Sequence, residues 1–188
     1  VGTFMREWLS LYDSKSGERG IYSSLSAQKH VEQLNKQETD GDGNFIQRRE
    51  PRSDFGTNPC SEIILRSREF CNLSEVVIRR SDDVQSLEEK VRFATIIGTF
   101  QSTLTNFKYL SREWKRNCDD ERLLGVSLTG IMDNPLTNGT KKGLDELLER
   151  LKKVAVETNK EYAEKLGIPR SAAITCVKPS GTVSQLVD

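Results

Sequence analysis

Between residues 63 and 177 short β-rich runs alternate with long helix-period stretches, and no other feature limits the possible folds as much. Residues 63–65, 76–78 and 123–129 are brief apolar runs bounded by turn residues, which predicts strands. Residues 86–107 carry Leu87, Val91, Ala94, Ile97, Phe100 and Leu104 at steps of three or four, with Phe93 and Ile96 widening the stripe. That spacing predicts a largely buried helix. Residues 144–166 repeat the pattern through Leu147, Leu148, Leu151, Val154, Ala155 and Tyr162, until Gly167 and Pro169 stop it. A last β-rich run, 172–177, leads straight into Lys178-Pro179-Ser180-Gly181-Thr182-Val183-Ser184. Strand, helix, strand, helix, strand in this order predicts an α/β fold with crossover connections. Upstream, helical spacing predicts helices over 4–12 and 23–37, separated by Ser16-Gly17-Glu18-Arg19-Gly20. Residues 45–57 are polar and irregular and read as a loop.

The chain has 188 residues, enough for one domain with a real core. Its 28 basic and 28 acidic residues cancel, so no global basic field exists to hold nucleic acid, and phosphate recognition has to be local. No apolar run approaches the roughly 18 to 20 residues of a spanning helix, and no secretory pattern opens the sequence. A cytoplasmic protein that binds neither nucleic acid nor membrane is expected. The first residue is not methionine, and residues 183–188 read as an element being entered. A piece of a longer polypeptide is therefore expected.

Four cysteines, Cys60, Cys71, Cys118 and Cys176, form no C-x-x-C pair, and His30 is the lone histidine. A structural zinc site is not expected, and no metal ligands are assigned. Glu38, Asp40 and Asp42 alternate before Gly43 as in a calcium loop, but Arg49 stands at the closing position where a bidentate Glu is needed. That stretch reads as a surface turn.

The densest chemistry is Asn58-Pro59-Cys60-Ser61-Glu62: an amide, a thiol and a carboxylate at alternate positions. If the stretch is extended, a period of two puts all three on one face, and Pro59 biases Asn58 away from helix. A carboxylate beside a thiol disfavours thiolate, so the grouping suits a neutral thiol that reacts by hydrogen-atom transfer. The plain alternative is a turn with a capping Asn, a buried Cys and a surface Glu. Residues 178–184 are the phosphate candidate, through their hydroxyls and the backbone N–H groups around Gly181.

Asn58-Pro59-Cys60-Ser61-Glu62 followed by Phe70-Cys71-Asn72-Leu73-Ser74-Glu75-Val76 resembles the active-site segment of ribonucleotide reductases, in particular the adenosylcobalamin-dependent ribonucleoside-triphosphate reductases. Ser16-Gly17-Glu18-Arg19-Gly20-Ile21, Leu124-Gly125-Val126-Ser127-Leu128-Thr129-Gly130 and the stretch 178–184 are similar to the same subgroup, in the same order along the chain. The resemblance implies that residues 1–188 are part of a ten-stranded α/β barrel with a central finger loop. It implies that Cys60 becomes a thiyl radical and removes the ribose 3′ hydrogen, with adenosylcobalamin as radical source. By the same implication Glu62 accepts the 3′-hydroxyl proton, Asn58 positions the substrate hydroxyls, and Cys71 is one of the two cysteines that supply reducing electrons. Pro179, Ser180, Gly181, Thr182, Val183 and Ser184 match the substrate-phosphate loop. The implied partners are a ribonucleoside triphosphate, a thioredoxin-type reductant and the remainder of the reductase chain.

Departures from the family pattern are equally plain. Its second reducing cysteine lies upstream of the active-site segment, and nothing here corresponds to it. The chain has no room for the allosteric site, the main cobalamin-binding region or the C-terminal cysteines. Cys118 and Cys176 match no family role and read as buried structural thiols. A diiron-dependent reductase shares the Asn-Pro-Cys-x-Glu type of segment, and a catalytically silent nucleotide-binding or structural fragment is the other alternative.

Overall fold

The computed structural model describes residues 1–16, 20–36, 42–43 and 46–187, without the side chain of Thr182. Two helices come first, α1 (Gly2–Ser14) and α2 (Ser24–Asn35). The oxygen of Ser23 caps α2 by accepting from the Ser26 N–H, and Ala27 and Val31 bury one side of it. A small antiparallel hairpin follows, β1 (Phe55–Thr57) and β2 (Ile64–Arg66), with Phe55 and Ile64 packed on that buried side.

The main unit is β3 (Asn72–Val77), α3 (Val84–Gln101), α4 (Arg112–Glu121), β4 (Leu124–Thr129) and α5 (Leu144–Leu166). β3 and β4 pair in parallel, with Leu73 opposite Gly125 and Glu75 opposite Ser127, so the connection between them is a crossover. Residues 172–177 were expected to form a third strand and do so only in part. Thr175 bridges Val126 in parallel, and the Cys176 N–H donates to the Val126 carbonyl.

Side chains alternate across this sheet, and the two faces differ. Val76 and Val126 point to α3 and α5, where Leu87, Val91, Ala94, Leu147, Leu151 and Ala155 close an apolar core. Asp83 and Ser86 start α3 with a reciprocal capping box. Gly167, left-handed at φ 65°, ends α5 with hydrogen bonds from Gly167 and Ile168 back to Glu164 and Ala163.

The helix expected over 86–107 is shorter and only half buried. It ends at Gln101, and Phe93, Ile97, Phe100 and Leu104 are exposed. The buried side is instead lined by Leu87, Val91, Ala94, Thr95, Gly98 and Thr99, because small residues let α3 lie close on the sheet. A Cβ on Gly98 would stand 3.3 Å from Leu124 Cδ2.

Candidate active site

Asn58-Pro59-Cys60-Ser61-Glu62 is the loop joining β1 to β2, and it turns rather than extends. Ser61 adopts φ 63°, its N–H donates to the Asn58 carbonyl at 2.9 Å, and the Ile63 N–H donates to Asn58 Oδ1 at 3.0 Å. Asn is suited to this, since its side-chain oxygen can replace a backbone acceptor in a turn, and Pro59 supplies a turn-compatible φ. The expected common face for Asn58, Cys60 and Glu62 is therefore corrected. Asn58 closes the loop, Cys60 sits exposed at its tip, and Glu62 folds inward.

Both Glu62 carboxylate oxygens are buried without a hydrogen-bond partner. They lie close enough to Cys71 and Cys176 to raise both thiols. Burial, reinforced by Glu62 and Glu69, pushes Cys71 up to about 11. Burial, then Glu62 and Cys71, pushes Cys176 up to about 12. Lys178 offsets part of this at each thiol. Both are neutral thiols at physiological pH, poor as nucleophiles and intact as hydrogen donors.

Cys71 immediately precedes β3, and strand alternation puts it on the face of Leu73 and Glu75, away from the apolar core. Gly125 faces Leu73 there. A Cβ on Gly125 would meet Leu73 Cδ2 at 2.4 Å, Cys176 Sγ at 3.1 Å and Ile63 Cδ1 at 3.2 Å. The missing side chain thus makes the space into which Ile63 and Cys176 settle. The Ser127 hydroxyl and Glu75 Oε1, neighbours on the same face, are also buried without partners.

Cys176 corrects an expectation. It is half-buried at this site, whereas Cys118 on α4 is buried as expected, and burial raises its thiol. Cys71 and Cys176 lie on either side of β4, level with Leu123 and Ser127 respectively, so at least two strand spacings, roughly 9.6 Å, separate their backbones. A disulfide needs Cα atoms within roughly 7 Å, so the two cannot bond without backbone movement.

Residues 178–184 begin beside this cluster at Lys178. The short helix α6 (Thr182–Leu186) starts after Gly181. Ser180 Oγ is buried and unpartnered, while Ser184 Oγ bonds the Ser180 carbonyl at 2.6 Å and the Gly181 carbonyl at 2.9 Å. Most of the calcium-like stretch, and Gly17, Glu18 and Arg19 of the earlier motif, lie outside the described residues. Among the described residues no group of three His, Cys, Asp or Glu side chains could hold a metal ion, and no helix is long and apolar enough to cross a membrane.

A buried ionic cluster went unread in the sequence. Arg49 Nε stands 2.7 Å from Glu121 Oε2, Arg66 Nε 2.9 Å from Glu121 Oε1, and Arg66 Nη2 3.3 Å from Glu69 Oε1. Glu69, two residues before Cys71, is pushed up to about 7 by burial and by Glu121. Its only advance signal was that acids and bases recur around the cysteine segment, which is also what a solvated surface looks like.

No protein-family model matches the chain. Its sequence is 31% identical over 155 residues to an adenosylcobalamin-dependent ribonucleoside-triphosphate reductase of Lactobacillus acidophilus, covering 70% of this chain and 21% of that protein. A probable enzyme of the same name from Dictyostelium discoideum is 31% identical over 136 residues, covering 72% of this chain and 17% of that protein. The crystal structure of a B12-dependent (class II) ribonucleotide reductase superposes with a TM-score of 0.58 at 26% identity, over 77% of this chain and 23% of the other. These matches relate the chain by descent to the ribonucleotide reductases. Within that class, what it resembles is the adenosylcobalamin-dependent ribonucleoside-triphosphate reductases, and it spans about a fifth of the length of the curated relatives it matches.

Proposed function

We propose that the chain supplies the hydrogen-transfer centre of an adenosylcobalamin-dependent ribonucleoside-triphosphate reductase and forms part of a ten-stranded barrel whose finger loop is the hairpin tip. One observation carries the reading beyond similarity. The Glu62 carboxylate is buried with both oxygens unpartnered, two residues from the exposed thiol of Cys60 and beside the neutral thiol of Cys71. An unsatisfied buried carboxylate is costly unless something arrives to be bound.

In this reading Cys60 gives up a hydrogen atom and, as a thiyl, removes the 3′ hydrogen of the ribose. Glu62 takes the 3′-hydroxyl proton, and the 2′-hydroxyl leaves as water. Asn58 sets the loop and orients the sugar hydroxyls. Cys71 and a cysteine outside this chain give up both thiol hydrogens, one as the proton with which the 2′-hydroxyl leaves as water and one to C2′. They end as a disulfide whose two electrons reduce the sugar; Cys60 then returns the 3′ hydrogen and is a thiyl again. Residues 179–184 hold the phosphates, with Lys178 as the nearby cation. The exposure of Cys60 fits a radical initiator that approaches from beyond the described residues. Adenosylcobalamin, when bound, supplies that initiation. Four free cysteines suit a reducing cytoplasm with a thioredoxin-type reductant.

The test is turnover of ribonucleoside triphosphates by a complete reductase carrying this segment, with adenosylcobalamin and a dithiol reductant. Deoxynucleotide is expected from the parent and none from Cys60→Ser. Product from that variant would refute the assignment.

A further inference from the structure

The hairpin that carries Asn58, Cys60 and Glu62 has three residues in each strand, and a two-stranded hairpin that small is marginal by itself. Its tip must nevertheless be held, if a thiol and a carboxylate are to meet one substrate. Arg49 holds both strands. Its Nη2 donates to the Ile64 carbonyl of β2 at 2.9 Å, and its guanidinium lies 5.0 Å from the centre of the Phe55 ring of β1.

The same guanidinium also meets the acids of neighbouring elements: Nε stands 2.7 Å from Glu121 on α4, and Nη2 3.6 Å from Glu69 on the approach to Cys71. Arg66 of β2 shares both acids. Arg49 is fixed from behind by α2, where Asn35 Nδ2 donates to the Arg49 carbonyl at 2.7 Å and Asn35 Oδ1 accepts from the Arg49 N–H at 3.2 Å. Arg49, Glu69 and Glu121 are each under 5% exposed. Burying such a cluster adds little stability over apolar packing of equal volume. What it adds is direction, because a planar fork with five donors fixes angles that apolar side chains leave free.

We propose that Arg49 is a positioning residue: it locks the Cys60 hairpin to α2, α4 and the segment leading into Cys71, and so sets where Cys60 and Glu62 stand relative to Cys71. The inference rests on the reductase reading for its consequence in catalysis, and on the contacts alone for the lock. Lysine keeps the charge but has neither the fork nor the ring-stacking plane, so Arg49→Lys is the informative change.

In a complete reductase carrying this segment, Arg49→Lys is expected to speed amide hydrogen exchange at Ser61 and Ile63, whose N–H groups bond Asn58, by tenfold or more. Exchange in α5 should stay as in the parent. Turnover should fall at least tenfold in kcat with KM for the triphosphate held within twofold. Unchanged loop exchange, or loop and α5 speeding together, would overturn the lock. Faster loop exchange with undiminished kcat would overturn the positioning role. If Arg49→Lys fails to fold, Phe55→Leu keeps an apolar side chain against Ala27 and Val31 and removes the ring beneath the guanidinium. It should loosen the same two amides by a smaller factor, and no loosening would count against the proposal. A parent enzyme that reduces no ribonucleotide would sink the function proposed above, while the exchange result would still decide the lock.

Discussion

The two faces of the β3–β4 sheet are built from adjacent residues and to opposite ends. Val76 and Val126 enter a closed apolar core against α3 and α5. One residue away, Glu75 and Ser127 carry buried polar atoms with no partner, Gly125 gives up its side chain altogether, and Cys71 begins the same face. Ser74 is a polar residue on the core side of β3, its hydroxyl also unpartnered, near Gly98 of α3. A protein tolerates a face of unsatisfied groups where something binds, since each costs on the order of 1–3 kcal/mol when left alone. The core face holds the sheet together; the other face is the one that the proposed function assigns to the substrate.

The largest effect that separates the faces is expected at the loop above the open one. Cys60→Ser, in a complete enzyme, should abolish nucleotide reduction and hydrogen exchange into the adenosyl 5′ position, because a hydroxyl relays hydrogen atoms far less readily than a thiol. Exchange at the parent rate would remove Cys60 from the radical path. Glu62→Gln keeps the shape and deletes the base, and a loss of roughly 10²- to 10⁴-fold in kcat is expected. An unchanged rate would leave Glu62 without a role.

On the core face the expected cost is in stability. Leu87, fully buried between α3 and the sheet, should lose about 2–5 kcal/mol on change to alanine, read by urea unfolding. A loss below about 1 kcal/mol would mean that the core is less closed than its burial implies.

The smallest effect concerns Glu69, which is faced by Arg49, Arg66, Glu121, Cys71 and Cys118. Its carboxyl is raised in the folded state, so the fold binds this proton more tightly than the unfolded chain does. That contribution is full below the ordinary carboxylate range and is lost as pH rises towards about 7. Glu69→Gln should therefore gain on the parent between pH 5 and pH 8, by at most about 3 kcal/mol. A difference that does not vary with pH would show that Glu69 is not protonated in that window.

Much of this was legible in the sequence where local pattern and packing agree. The helix expected over 144–166 is found at Leu144–Leu166, because its apolar period, its glycine stop and its core contacts coincide. The strand over 124–129 is equally plain, since an apolar run between turns has few alternatives. The shape of the cysteine loop was not legible. Alternation suggested an extended segment, but Asn58 accepts hydrogen bonds from two residues ahead of it and folds the run into a turn. Nor was the Arg49 cluster, because Arg49, Arg66, Glu69 and Glu121 are dispersed along the sequence and each alone reads as surface charge. Cys176 was misjudged for a related reason: only the absence of a side chain at Gly125 opens the site to it.

The central claim is that Cys60 carries the radical and Cys71 the reducing electrons, with Cys176 a bystander too distant to bond. The direct measurement is disulfide mapping by mass spectrometry after a single turnover of a complete enzyme without external reductant. Cys71 is expected to be joined to a cysteine outside residues 1–188, with Cys60, Cys118 and Cys176 all free. A disulfide between Cys60 and Cys71, or between Cys71 and either Cys118 or Cys176, would contradict it.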